Sequence, residues 1–296
     1  KRSGTFWSFW SLMAALAKEG RSPHMIVLEN VTGALTSHGG RDFSAIVRAF
    51  AEINYRVGCL VLDAARFVPQ SRPRLFVIGV SGNTAIPKHL VAEAPSDPWQ
   101  PKPLRTAVSL LPLSLDRNLV WWRLPSPNSP VPPLAAMIEE EPIGVSWHSA
   151  SETKYLLSLM SPLHRRKIDA AGAVRTKTVG TIYKRTRPDE AGNRSQQAEV
   201  RFDNVAGCLR TPVGGSSRQT VIVVEGKSIR SRLLSPREAA RLMGVPESYP
   251  LPAKYNDAYH LFGDGVVVPV VAWLERYLLR PIASSIHSDR IAKQIA

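Results

Sequence analysis

Ten of the chain's 24 prolines fall between Pro95 and Pro133. Each proline fixes φ and removes a backbone donor, so a stretch this dense in proline cannot build an inner strand or a long helix. Residues 82–160 are therefore expected to form a linker or an irregular, loop-built insert. Regular structure must come from the residues on either side.

Before the insert, positions 5–18 read as an amphipathic helix. The opening "KRSGTFWSFWSLMAALAKEG" mimics a signal peptide, but Trp7, Ser8 and Trp10 interrupt it and no small-residue cleavage site stands out. "MIVLENV" (25–31), "YRVGCLVLDA" (55–64) and "RLFVIGV" (74–80) read as strands, and "DFSAIVRAFAEI" (42–53) has helical spacing. Strand, helix and strand with short links imply a wound α/β sheet. After the insert, residues 161–230 are basic. From Ser161 to Arg218 twelve Lys/Arg stand against five Asp/Glu, half of the chain's excess charge. Gly214-Gly215-Ser216-Ser217 reads as a loop by composition, and "TVIVVEG" (220–226) reads as a strand. From 231 onward the pattern returns to helix. "SPREAARLMG" (235–244) has Ser235 as N-cap, Pro236 at the first helical position and Glu238 three residues after the cap. A second helix is expected over 267–279.

The net charge of +14 points to a polyanionic partner, nucleic acid first, or simply to solubility. The two cysteines, Cys59 and Cys208, have no metal-like spacing, so neither a disulfide framework nor a metal site is expected, and a reducing cytoplasm fits. No apolar run reaches about 18 residues, so no membrane-spanning helix is expected.

Four groups of residues could carry chemistry. Glu29-Asn30-Val31 ends a strand, where α/β sheets bind ligands, although a lone Glu there is more often a surface charge. Gln70, Arg72 and Arg74 lead into the next strand. They either present donors to a ligand or guard the strand end as solvated charges. Arg237 and Arg241 share one helical face, toward phosphates or water. Gly263-Asp264-Gly265 before "VVVPVVAWL" suggests a tight turn into a helix N-terminus.

Taken in order, these groups resemble the second half of a DNA cytosine-5 methyltransferase. The similarity covers 1–81 and 231–280 well, and 161–230 as a target-recognition region. The resemblance implies a partial doubly wound, Rossmann-like methyltransferase sheet. With it come a smaller irregular recognition domain and C-terminal helices that return to the sheet. The implied division is 1–81 for the second half of the catalytic domain, 82–230 for the insert and recognition region, and 231–296 for the returning helices. The implied reaction moves a methyl group from S-adenosylmethionine to C5 of a cytosine flipped out of double-stranded DNA. A cysteine thiolate adds at C6, the enamine takes the methyl group, and loss of the C5 proton and the cysteine restores the ring.

By the same resemblance Glu29 meets the cytosine N3 edge, and Asn30 and Val31 shape the base pocket. Arg74 fixes the flipped base, and Arg72 supports the catalytic loop or the DNA backbone. Gln70 is expected on the DNA side. "RSGTFW" (2–7) places Phe6 near the methyl donor, and Asp264 and Val266 close the cofactor pocket. Asn is usual at 264; Asp keeps the acceptor but loses the amide donor. Arg210, Thr211, Ser216, Arg218 and Gln219, on a glycine-relaxed backbone, are expected to contact DNA bases or phosphates.

The sequence holds no Pro-Cys dipeptide and no glycine-rich first-strand turn, both features of the family. They are expected upstream of Lys1 or in a complementary N-terminal piece. Cys59 reads as buried core, and Cys208 is not a credible substitute nucleophile. On this reading the chain alone is inactive, and strand 25–31 presents an unpaired apolar edge that limits solubility. The alternatives are a catalytically dead DNA-binding relic, the recognition subunit of a split methyltransferase, or an unrelated basic α/β protein.

Overall fold

The computed structural model describes residues 4–188, 193–211 and 218–286. The chain forms two compact units. One comprises 1–63, 73–126 and 273–296; the other comprises 64–72 and 127–272.

In the first unit, helix α1 (Gly4–Lys18) precedes strand β1 (Met25–Val31), and helix α2 (Arg41–Glu52) leads into strand β2 (Tyr55–Asp63). Asn54 turns the chain between α2 and β2 at φ 61, a left-handed conformation that asparagine tolerates better than most residues. Strand β3 (Pro73–Ser81) lies between β1 and β2, antiparallel to both. From Leu75 to Val80 every residue of β3 is buried, so its unbroken apolar run marks a strand covered on both faces. In contrast, β1 pairs only with β3 among the described residues and exposes Val27 and Val31.

Helix α2 turns Phe43, Ile46, Val47 and Phe50 into the core, the stripe expected of a 3.6-residue period. The Trp10 ring from α1 lies 4.6 Å from Phe50, which in turn packs edge-on against Tyr55. The proline-dense stretch contributes only short pieces: strand β4 (Val91–Ala92), helix α3 (Lys102–Ser109) and strand β5 (Trp121–Trp122), with β4 and β5 paired. Trp122 is fully buried. Its indole occupies the space where a side chain at Gly58 would stand.

In the second unit, helices α4 (Ala150–Ser158) and α5 (Pro162–Ala173) pack on an antiparallel sheet of order β7-β6-β8-β9. The strands are β6 (Thr178–Pro188), β7 (Arg194–Arg201), β8 (Thr220–Glu225) and β9 (Ser228–Leu233). Leu156, Met160, Ile168, Ile182, Val200, Ile222 and Val224 form the core. β8 pairs with β6 only over Thr178–Ile182, so the rest of β6 is bonded to β7 alone.

Helices α6 (Pro236–Leu242), α7 (Tyr255–Asp264) and α8 (Val268–Leu274) follow. The capping box forms as the sequence indicates: Ser235 Oγ accepts the Glu238 N–H at 3.1 Å, and Glu238 Oε2 accepts the Ser235 N–H at 2.8 Å. Arg232 and Glu238 are both fully buried and paired at 2.6 Å, a partnership that the capping pattern does not reveal. The helix expected over 267–279 is α8 continued by a π-helical turn, Glu275–Leu279. One expectation is corrected. Gly263 and Asp264 end helix α7 and Gly265 caps it, so they do not form a turn into a helix N-terminus. Gly263 is required for space, because a Cβ there would strike the backbone at Arg210 and Thr211. Among the described residues no helix is long and apolar enough to cross a membrane.

Candidate active site

In the first unit Glu29 and Arg74 reach each other from neighbouring strands. The register sets Glu29 opposite Phe76 and Val31 opposite Arg74. The diagonal across β1 and β3 lets the longer arginine span to the carboxylate. Arg74 Nε stands 2.8 Å from Glu29 Oε1, with side chains 16% and 27% exposed. Arg74 Nη1 also donates to the Pro73 carbonyl at 3.0 Å. The guanidinium is thus tethered at two points and holds the carboxylate at the end of β1 in a fixed direction. Asn30 Oδ1 accepts the Val31 N–H at 2.8 Å, which shapes the same strand end.

Glu29, Asn30 and Val31 line a cavity of about 610 Å³ together with Phe6 of α1. Four residues singled out in the sequence therefore meet around one space. Its wall also includes Ser37 and Asp42, which the sequence reading did not select. Hydrogen bonds from Ser37 and His38 hold the exposed Asp42 carboxyl below the usual aspartate range. His38 adopts φ 50 beside two left-handed glycines, Gly39 and Gly40. The Ser-His-Gly-Gly-Arg-Asp run at the start of α2 was the available signal. The site combines a fixed carboxylate, a guanidinium and an aromatic wall. It can orient a planar ring with a protonatable nitrogen edge.

The second unit holds Gln70 and Arg72, and it corrects the position expected for both. Arg72 is 4% exposed. Its Nη1 donates to the Leu209 carbonyl at 2.8 Å, and its Nη2 donates to the carbonyls of Gly263 and Gly265 at 2.9 and 2.8 Å. Cys208 Sγ lies 3.5 Å from the same Nη1. The arginine neutralises the carbonyl end of α7 and ties it to the chain at Leu209. Gln70 is fully buried. Its Nε2 donates to the Leu242 carbonyl at 2.7 Å, and its Oε1 accepts the Leu209 N–H at 3.2 Å. It is an internal brace and does not face a groove.

Gln219, expected to contact DNA, is also buried: its Nε2 donates to the Ile182 carbonyl at 3.0 Å and its N–H to Tyr259 Oη at 2.8 Å. Arg210 is exposed, and Thr211 is partly so. Arg218 stacks over the Tyr255 ring at 5.2 Å and bonds Asn256. Asp264 and Val266 are exposed. Ser216 lies outside the described residues. Arg237 and Arg241 both pair with Glu247, Arg241 at 2.7 Å. Burial raises the Cys59 thiol to about 12, which fits its reading as a core residue.

The chain is 26% identical to the type II methyltransferase M.SsoII of Shigella sonnei over 262 residues, which is 88% of this chain and 53% of that protein. It is 25% identical to M1.ScrFI of Lactococcus lactis subsp. cremoris over 276 residues, 92% of this chain and 56% of that protein. It thus spans about half the length of these relatives. A solved structure of a Spodoptera frugiperda DNMT2 mutant aligns with 93% of this chain and 70% of its own, at 16% identity and a TM-score of 0.49. With its match running through residues 1–279, the chain belongs to the C-5 cytosine-specific DNA methylase family.

Proposed function

We propose that this chain forms part of an enzyme that methylates C5 of a flipped cytosine in double-stranded DNA, acting on DNA in the cytoplasm. The observation that carries this reading is the Glu29–Arg74 pair at 2.8 Å beside the cavity that Phe6 shares. Glu29 faces the N3 edge of the ring, and a proton shared between that nitrogen and the carboxylate offsets the charge that develops when a thiolate adds at C6. Arg74 orients that carboxylate and fixes the base. S-adenosylmethionine supplies the electrophilic methyl group when bound. Phe6 offers it an aromatic wall, and Asp264 and Val266 are its proposed contacts from the end of α7. The nucleophilic cysteine and the glycine-rich turn come from sequence that this chain does not contain, in the same polypeptide or in a complementary fragment.

By role, residues 1–81 provide the base pocket, 82–230 the insert and target recognition, and 231–296 the returning helices; this division cuts across the two compact units. Arg210, Thr211 and Arg218 are the proposed DNA contacts within the recognition region, and Gln70, Arg72 and Gln219 hold that region in shape. The test is to mix the chain with a piece carrying the Pro-Cys loop and to follow transfer of a radiolabelled methyl group to DNA. Transfer that needs both pieces and is lost in Glu29→Gln supports the reading. DNA binding with no transfer in any combination would instead favour a DNA-binding relic.

A further inference from the structure

The second unit holds a cleft built from residues other than those around Glu29, and the sheet register explains its make-up. Ile182 of β6 stands opposite Thr220 of β8, and Thr220 stands opposite Leu233 of β9. Ile182 packs in the core with Leu156 of α4, so this row faces the helices. Side chains alternate along a strand, which returns Lys184 to the same face two residues later. There β6 runs on as a two-stranded ribbon with β7 alone. Because β6 and β8 are antiparallel, Arg218, two residues before Thr220, falls beyond the same end of the row. The fold thus brings two cations to one face beside α4.

Lys184 and Arg218 line a cavity of about 440 Å³, within the range of about 300–1,000 Å³ usual for small-molecule sites. Its chemistry is divided. Leu156, Leu159 and Leu233 form an apolar wall, and the two cations lie on the other lining. Arg218 is held in place: its guanidinium stacks over Tyr255, and its Nη2 donates to Asn256 Oδ1. Its Nε is buried with no hydrogen-bond partner among the described residues. A buried donor left unmet is costly, and neighbouring like charges repel. An anion placed between Lys184 and Arg218 relieves both. The Glu152 carboxylate, also on the lining, is engaged at the N-cap of α4, where its Oε2 accepts the Ser149 N–H at 2.7 Å and Oγ–H at 2.8 Å.

We propose that this cleft binds a small organic carboxylate with an apolar body. One carboxylate oxygen accepts the Arg218 Nε–H, and the Lys184 ammonium approaches the same group. Hydrogen bonds of this charged kind are roughly twice as strong as neutral ones. The body of the ligand lies on Leu156, Leu159 and Leu233 and gains from leaving water. The competing occupant is a DNA phosphate, which carries the charge but lacks the apolar body.

The test uses the full chain and ligand-observed NMR titration, with 3-phenylpropionate as the probe. The acid is expected to bind. Its uncharged amide, 3-phenylpropanamide, should bind about 10-fold more weakly or worse, as follows from losing one charge-assisted bond. Acetate, which lacks the body, should also bind more weakly. Lys184→Met and Arg218→Gln should weaken the acid by a similar factor to the amide exchange. Tyr155→Glu, at an exposed position on the lining, adds a like charge and should weaken the acid but not the amide, so the test stands even where Arg218→Gln disturbs the fold. Arg166→Gln, exposed on α5 and outside the cleft, should leave binding unchanged. No binding of the acid, equal binding of acid and amide, or binding unaltered by both Lys184→Met and Tyr155→Glu overturns the proposal. Tighter binding of dimethyl phosphate than of the acid also overturns it and assigns the cleft to the DNA backbone.

Discussion

Arg72 and Arg74 are one residue apart, yet their replacement should fail in opposite ways. Arg72 directs three charge-assisted hydrogen bonds, at 2.8 to 2.9 Å, to the carbonyls of Leu209, Gly263 and Gly265 from a site that is 4% exposed. A hydrogen bond involving a charged group contributes about 1.5–3 kcal/mol, and a buried acceptor left alone costs about 1–3 kcal/mol. The three share one donor group and are not additive, so Arg72→Ala is expected to cost about 3–5 kcal/mol. Arg72→Lys keeps the charge but loses the planar fork and should recover less than half of that. Arg74→Ala breaks one partly exposed ion pair and should cost only about 1 kcal/mol, while abolishing methyl transfer in a reconstituted enzyme. Urea unfolding of the chain, followed by tryptophan fluorescence, reads the first effect. With m near 3 kcal/mol/M, Arg72→Ala should lower the midpoint by about 1 M or more. A midpoint within about 0.3 M of the unaltered chain would refute the argument that Arg72 is a structural clamp.

Further outcomes follow from the core and the caps. Gly58→Ala should destabilise the first unit by at least about 1–3 kcal/mol in the same urea assay, because its Cβ would collide with the Trp122 indole and the Val120 carbonyl. Ser235→Ala should cost about 1–2 kcal/mol, since its Oγ caps α6 from a fully buried position. The Cys59 thiol is raised by burial from 9.0 to about 12, so its contribution to stability is complete below pH 9 and is lost between pH 9 and 12 as the unfolded thiol ionises. Burial raises the Tyr259 phenol to about 12 as well, which adds to the alkaline loss. Urea midpoints across pH 8 to 11 should fall, and Cys59→Ala should flatten the slope. In the native chain an alkylating reagent at pH 8 should modify Cys208 far faster than Cys59, read by mass spectrometry of the peptides.

The strands at 25–31, 55–63 and 73–81 were legible because apolar runs bounded by polar residues leave few other options. Their order was not. That β3 inserts between β1 and β2 depends on contacts that no local pattern encodes. The β6–β7 ribbon escaped because both of its faces meet water, so "YKRTRP" and "RSQQ" show no period-2 alternation of apolar residues. Helix α5 was absorbed into a basic region by Arg165, Arg166 and Lys167. At the site, Glu29, Asn30, Val31 and Phe6 could be grouped from motif order, and the structure gathers them around one cavity. The role of Arg72 could not be read, because a buried arginine and a solvated one look identical in sequence. Only its three carbonyl acceptors tell them apart.

The clamp at Arg72 also sets a timetable for folding. Its acceptors lie 137 residues away at Leu209 and 191 residues away at Gly263. Contacts with such long sequence separation form slowly, since a large loop must close before any bond repays it. At about 5–20 residues per second, the ribosome needs roughly 10–40 s after making Arg72 to deliver Gly263. Until Gly263 and Gly265 are made, Arg72 lacks two of its three carbonyl acceptors, and before Leu209 it lacks all three. The guanidinium keeps part of its hydration until Gly263 and Gly265 are made, so the second unit completes only after translation of these last anchors.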